Sequence, residues 1–201
     1  MDLQAQFGQI DIYLFDQLLR GRIVPGMRVL DAGCGGGRNL VYLLREGFDV
    51  HAVDEDPQAV TYVREMVAAL APGLPPGQIR LGAVERMSFP DDCFDVVISN
   101  AVLHFARDDA HLEAMAREMW RVLKPGGLLF ARLVSSIGMP DQALEHVSGR
   151  HYVLPDGTTR YVVDEAQLMA LTDALRGVLL DPLKTTVVQH QRCMTTWVLR
   201  K

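Results

Sequence analysis

The run Val29-Leu30-Asp31-Ala32-Gly33-Cys34-Gly35-Gly36-Gly37-Arg38-Asn39-Leu40 sets a carboxylate two residues ahead of alternating glycines. Glycines at this spacing strip side chains from a turn, so a ligand can press against backbone, and the helix start that follows suits polar or anionic groups. Asp31 adds an acceptor beside that floor. The chemistry on offer is the seating of a nucleotide-like cofactor. Two further side chains could act on a substrate. His104, just after an apolar run, could serve as a base, with packing or capping as its structural alternative. Arg132 stands in an otherwise apolar run and is costly to bury unpaired, so it either meets a carboxylate of the protein or points at an anionic substrate. Other polar residues read as structural: Asp95 as the group fixing a turn, Lys124 as solvated, and Cys34 as a small packing residue with no basic partner to activate it.

These residues need a scaffold, and the periodicity predicts one. Phe7, Ile10, Tyr13 or Leu14, and Leu18 recur at helical spacing, which predicts one amphipathic helix over Phe7–Arg20 stopped by Gly21. Then come a strand over Arg28–Leu30, the glycine turn, and a helix over Asn39–Glu46 ending at Gly47. Phe48–Val53 reads as a strand ending in Asp54, and Pro57 opens a helix to Leu70. After the Pro/Gly-rich loop Ala71–Gly77, Ile79–Ala83 is a short strand, and the apolar Phe94–Ser99 fits a strand buried on both faces. A helix over Ala110–Leu123, a tight turn at Lys124–Gly127 and a strand over Leu128–Leu133 follow. An Asp-Gly pair between Tyr152–Leu154 and Thr159–Val163 marks a hairpin, and Asp164 caps a helix carrying Leu168, Leu171 and Leu175. Thr185–Gln189 and Thr195–Leu199 are so closely linked that they pair antiparallel. Strands alternating with helices predict an α/β fold whose ligands bind beyond the carboxyl ends of parallel strands.

With 201 residues, 49% of them hydrophobic and 22% charged, the chain can bury one substantial core. A net charge of −5 with scattered basic residues argues against nucleic acid or a membrane surface as the partner. Cys34, Cys93 and Cys193 lack metal-like spacing, so neither a disulfide framework nor a metal site is expected, and a reducing, cytoplasmic setting fits. No signal-peptide pattern and no run near the roughly 20 apolar residues of a membrane span is visible.

Glycine turns of this kind serve two cofactor classes. The dinucleotide fingerprint G-x-G-x-x-G or A requires a small residue where this chain has Arg38. An acid followed by x-G-x-G-x-G, by contrast, is filled by Asp31, Gly33, Gly35 and Gly37. Over Val24–Val134 the chain resembles the small, single-domain class I S-adenosylmethionine-dependent methyltransferases of the type 11/12-like kind. Five segments carry the likeness in order: Val29–Asn39, Asp54, Glu85–Asn100, Val102–Phe105 (matching a helix after the fourth strand) and Leu123–Leu129.

The resemblance implies a Rossmann-like, doubly wound sheet of seven strands, mostly parallel with an antiparallel last strand, and helices on both faces. It implies a helical cap over 1–24, a cofactor-binding core over 25–134, a substrate-side insertion and helix over 135–180, and an antiparallel strand pair over 181–201. Asp31 would fix the glycine loop and the cofactor's amino group, Gly33 and Gly35 would admit the methionine part, and Asp54 would accept the ribose hydroxyls. Val84 and Glu85 correspond to the adenine-contacting segment, Asn100 and Ala101 face the methyl group, and Cys34, Asn39 and Glu55 complete the set. Ala83 stands where the family often carries an Asp for the adenine amino group, a contact left to Glu85 or backbone. Tyr13, a third candidate beside His104 and Arg132 for acting on the acceptor, and the later insertion, with His146, Arg150, His151 and Tyr152, would cover the acceptor. The expected reaction is methyl transfer to a small-molecule acceptor with release of S-adenosylhomocysteine, by a monomer or homodimer. A regulatory cofactor-binding protein and an NAD-dependent oxidoreductase are the alternatives, the latter disfavoured by Arg38.

Overall fold

The computed structural model describes residues 2–140, 144–189 and 191–201, so that 141–143 of the expected insertion lie outside the described residues. The chain opens with two short helices, α1 (Leu3–Phe7) and α2 (Ile12–Leu19), in place of the single helix expected over Phe7–Arg20. The apolar spacing runs on across the break, but Gly8 takes φ +62° and the Asp11 carboxylate caps α2 by accepting from the Tyr13 N–H at 2.9 Å. Helical periodicity alone does not register such a break.

The core elements follow as β1 (Arg28–Ala32), α3 (Leu40–Arg45), β2 (Asp49–Asp54), α4 (Pro57–Leu70), β3 (Ile79–Leu81), β4 (Phe94–Asn100), α5 (Asp109–Val122) and β5 (Leu123–Val134). Their starts and stops are local chemistry. Asp56 caps α4 with Pro57 at its first turn, and Asp108 caps α5. The expected turn at Lys124–Gly127 is absorbed into β5, whose register against β4 shifts between Phe94 and Val96 to accommodate it. Lys124 is not simply solvated. Its ammonium donates to Asp95 at 2.7 Å, while the other Asp95 oxygen accepts from the Arg28 N–H, so Asp95 ties the foot of β1 to β5.

β6 (Glu145–Ser148), β7 (His151–Val153) and β8 (Thr159–Tyr161) form a separate three-stranded antiparallel sheet. The expected hairpin is β7–β8, and the exposed β6 has no apolar alternation to announce it. Then come α6 (Glu165–Ala174), β9 (Val178–Leu179), β10 (Lys184–Val188) and β11 (Arg192–Arg200).

The main sheet runs β10-β11-β5-β4-β1-β2-β3, the seven strands expected, with two-residue β9 added alongside β11. β1 to β5 are mutually parallel, and the last strand, β11, is antiparallel to both neighbours. Alternation along the strands feeds two cores. Val29, Val50, Val96 and Phe130 pack with Leu14 of α2, Leu43 of α3 and Val63 of α4. Leu30, Val97, Leu129 and Ala131 pack with Met119 of α5 and Leu168 of α6. Burial on both faces is why these strands read as continuous apolar runs. The chain steps outward from β1 to β3, then crosses back to β4 beside β1, and in such sheets the crevice at the reversal is where ligands sit.

Candidate active site

The glycine turn leaves β1 at that reversal. The Gly33 and Cys34 N–H groups donate to the Val53 carbonyl of β2, and the Gly35 N–H donates to the Asp54 carboxylate at 2.7 Å. Asp54 also accepts from the Asp56 N–H at 2.9 Å, so it stitches the loops after β1 and β2 together. Only glycine fits at position 33. Its φ is +80°, and a β-carbon there would lie 2.6 Å from a Val102 methyl. At Gly35 and Gly36 a β-carbon would meet nothing within 4 Å, because bare backbone borders open space.

That space is a cavity of about 840 Å³, within the range that encloses a cofactor-sized ligand. Of the cofactor residues expected from sequence, Gly33, Cys34, Gly35, Asn39, Asp54, Glu55, Val84, Glu85, Asn100 and Ala101 all line it. Asp31 lies beneath the floor, 1% exposed, and its Oδ2 has no partner among the described residues. Burial pushes its pKa up to about 7, with Arg38 opposing and Asp54 adding to the rise. Cys34 is buried and its thiol is pushed further up, which leaves it inert. Ala101, at the end of β4, takes φ +64°, a strained conformation for a residue with a side chain, held by its N–H donating to the Arg132 carbonyl at 2.8 Å.

The three side chains considered for catalysis do not line the cavity. Arg132 meets a protein carboxylate: its Nη1 donates to Asp11 at 2.9 Å, and its guanidinium lies 5.1 Å from the centre of the Tyr13 ring. The Tyr13 hydroxyl pairs with Thr186 of β10 at 2.6 Å. His104 is buried against Phe105, in a 3-10 turn (Leu103–Phe105) where a helix was expected, and burial, with Arg160 and Arg192 adding, holds its pKa near 4. The His146 and Tyr152 rings pack at a tilt of 59°, 5.1 Å apart, within the small sheet, and Arg150 pairs with Asp164.

Several lining residues escaped the sequence reading. Arg38 was read only as a mismatch to the dinucleotide pattern, yet its guanidinium donates to the Asn100 Oδ1 at 2.9 Å inside the cavity wall. Gln9, Tyr62, Phe105 and Arg107 also border it. His111 and Met115 line it too, one helical turn apart on α5, the spacing that could have marked them. His111 Nε2 and Arg107 stand 3.2 and 3.5 Å from Glu85. Burial works to raise the Glu85 pKa, but its own backbone N–H, His111 and Arg107 outweigh it and hold the carboxyl below its usual value.

Among the described residues no helix is long and apolar enough to cross a membrane. Residues 30–131 match the family described as the methyltransferase domain. An uncharacterized methyltransferase of Bacillus subtilis is 35% identical over 105 residues, covering 52% of this chain and 42% of that protein. The malonyl-[acyl-carrier protein] O-methyltransferase of Pectobacterium atrosepticum is 32% identical over 126 residues, covering 62% and 46%. This chain thus spans less than half the length of either relative. The fold superposes with a TM-score of 0.70 on the Burkholderia thailandensis 1,6-didemethyltoxoflavin-N1-methyltransferase, solved with bound 1,6-didemethyltoxoflavin and S-adenosylhomocysteine, at 21% identity over 100% of this chain and 81% of that one. With the family matched over half its length and this sheet beneath it, the chain belongs to the methyltransferase-domain family, on the class I S-adenosylmethionine-dependent methyltransferase fold.

Proposed function

We propose that this chain moves a methyl group from S-adenosylmethionine to a small organic acceptor. The reading rests on the convergence of the glycine turn, Asp54 and the end of β4 on one cavity, with a buried Asp31 oxygen under its floor that has no partner among the described residues. When bound, the cofactor supplies a methyl group already activated on a positively charged sulfur.

The residues fit that group. Asp31 accepts from its amino group, and the bare backbone at Gly33 and Gly35 admits the methionine part. Asp54 spends one lone pair per oxygen on Gly35 and Asp56, which leaves acceptor capacity for the ribose hydroxyls. Glu85 stands in for the acid absent at Ala83 and accepts from the adenine amino group. Val102, Phe105 and Met115 supply apolar wall that keeps water from the reacting atoms. Holding acceptor and methyl group in line carries most of the acceleration, because the methyl group is already activated; His104 and Tyr13 do not line the cavity, whereas His111 does.

Support for an organic acceptor comes from a relative and a structural neighbour, whose names give a malonyl group on an acyl-carrier protein and 1,6-didemethyltoxoflavin as theirs. Thermal shifts test the cofactor class: S-adenosylmethionine and S-adenosylhomocysteine should raise Tm, and stabilisation by NAD alone would overturn the reading. Asp54→Ala should weaken S-adenosylhomocysteine binding about 10- to 100-fold, the worth of charge-assisted hydrogen bonds. Unchanged affinity by calorimetry removes Asp54 from the site. A screen for S-adenosylhomocysteine release then identifies the acceptor.

A further inference from the structure

The three-stranded sheet β6 to β8 packs against the turn that follows β4. Its pairing sets His146, Tyr152 and Arg160 opposite one another, and residues directly opposite in an antiparallel pair share a face. Tyr152 packs on the apolar cluster of Val134, Val162 and Met194, and so does Ala101, the strained residue that lines the cavity. The Arg160 guanidinium lies 4.7 Å from the centre of the Phe105 ring, which is 58% exposed and lines the same cavity. On β11, Arg192 stands two residues before Met194 and so on the same face of the strand. Small sheet and β11 thus continue the cavity wall as apolar surface edged by two guanidiniums.

Those charges are not spent within the protein. Among the described residues no carboxylate lies within 4.0 Å of either guanidinium, and Arg160 donates to the Thr159 carbonyl of its own strand at 2.9 Å. Asp156 feels both charges, but its Oδ1 is taken by the N–H and hydroxyl of Thr158. Beside Phe105, with ring centres 4.8 Å apart, His104 is 7% exposed, and its Nδ1 has no partner among the described residues. Arg160 and Arg192 both oppose its protonation, so the imidazole stays neutral next to them. Two unspent guanidiniums against an apolar wall match an anionic group on an apolar body.

We propose that Arg160 and Arg192 bind an anionic oxygen group of the methyl acceptor, whose apolar body lies along Phe105 and Tyr152; this inference rests on the methyl-transfer reading above. The acceptor is then an organic acid and not a neutral molecule. Guanidinium forks suit a carboxylate and a phosphate alike, so the shared chemistry is a set of oxygens that carry negative charge on one atom.

Benzoate, phenyl phosphate and benzamide are the probes, titrated by saturation-transfer NMR into the protein saturated with S-adenosylhomocysteine. Benzoate and benzamide have nearly the same shape and differ in charge. The parent should bind at least one acid roughly tenfold more tightly than benzamide, and the tighter acid names the anion. Arg160→Gln should lose most of that preference, and Arg160→Gln combined with Arg192→Gln all of it. Benzamide and S-adenosylhomocysteine should bind these variants as they bind the parent, which also shows that they are folded. Arg45→Gln, which removes an exposed guanidinium at the end of α3, should change nothing. Equal affinity of the parent for all three probes overturns the proposal. So does a loss shared by benzamide, or one that Arg45→Gln reproduces, since the acids would then answer only to surface charge. If the parent does not take up S-adenosylhomocysteine, the cofactor reading fails and takes this inference with it; uptake without a preference for the acids sinks this inference alone.

Discussion

At the scale of single residues, Asp31 sets a conflict between stability and binding. Its carboxyl titrates near 7 in the folded chain against an ordinary value of 3.8. Below pH 3.8 both folded and unfolded chains hold the proton and nothing is lost. As pH rises toward 7 only the unfolded chain releases it, so folded stability falls, by an amount on the order of 4 kcal/mol once pH exceeds 7. Asp31→Asn should therefore be more stable than the parent at pH 8, with the gap closing at acid pH, while binding S-adenosylhomocysteine more weakly. His51 and His104 act in the opposite sense. Burial holds both near pKa 4 against an ordinary 6.5, so their contribution is full above pH 6.5 and is lost as pH falls toward 4. Both proteins share that loss, so urea melts at pH 8, 6 and 4 isolate Asp31 in the difference, and a gap that does not change with pH refutes the assignment.

At the scale of elements, the two N-terminal helices are held to the core through Asp11, which accepts from Arg132 while its N–H donates to Asn39 of the glycine loop at 3.0 Å. The Arg132 side chain is 14% exposed, so Asp11→Ala would strand a buried charge and should cost about 3–5 kcal/mol in urea unfolding; a loss below about 1 kcal/mol would mean that the pair is effectively solvated. Why such joints hide from sequence is plain here. The glycine turn and Asp54 are legible because backbone geometry within a few residues demands them. Asp11 and Arg132 meet across 121 positions, so the charge on an apolar strand announced a need without naming its partner. Gly8 and Asp11 broke a helix whose apolar spacing was unbroken, and β6 lacks the alternation that marked its neighbours. His111 reached the cavity only because α5 packs beside the turn after β4, a placement that tertiary structure alone decides.

At the scale of the whole molecule, the sheet divides into a protected centre and a looser margin. β1, β4 and β5 are paired on both sides and buried on both faces, whereas all four residues of β6 are exposed. Amide exchange should be slowest across β1, β4 and β5 and fastest in β6 to β8, and uniform protection across the two sheets would contradict this division. The cavity takes its walls from the glycine turn after β1, the end of β2 and α4 on one side of the strand reversal and from the end of β4, the turn after it and α5 on the other. A ligand seated there links two halves of the sheet that the chain itself joins by a single crossover. At a hundred times its Kd such a ligand adds about 2.7 kcal/mol against unfolding. The lifetime of this protein in a cell is thereby tied to the supply of its ligand: chains starved of it open more often and are cleared sooner by proteases.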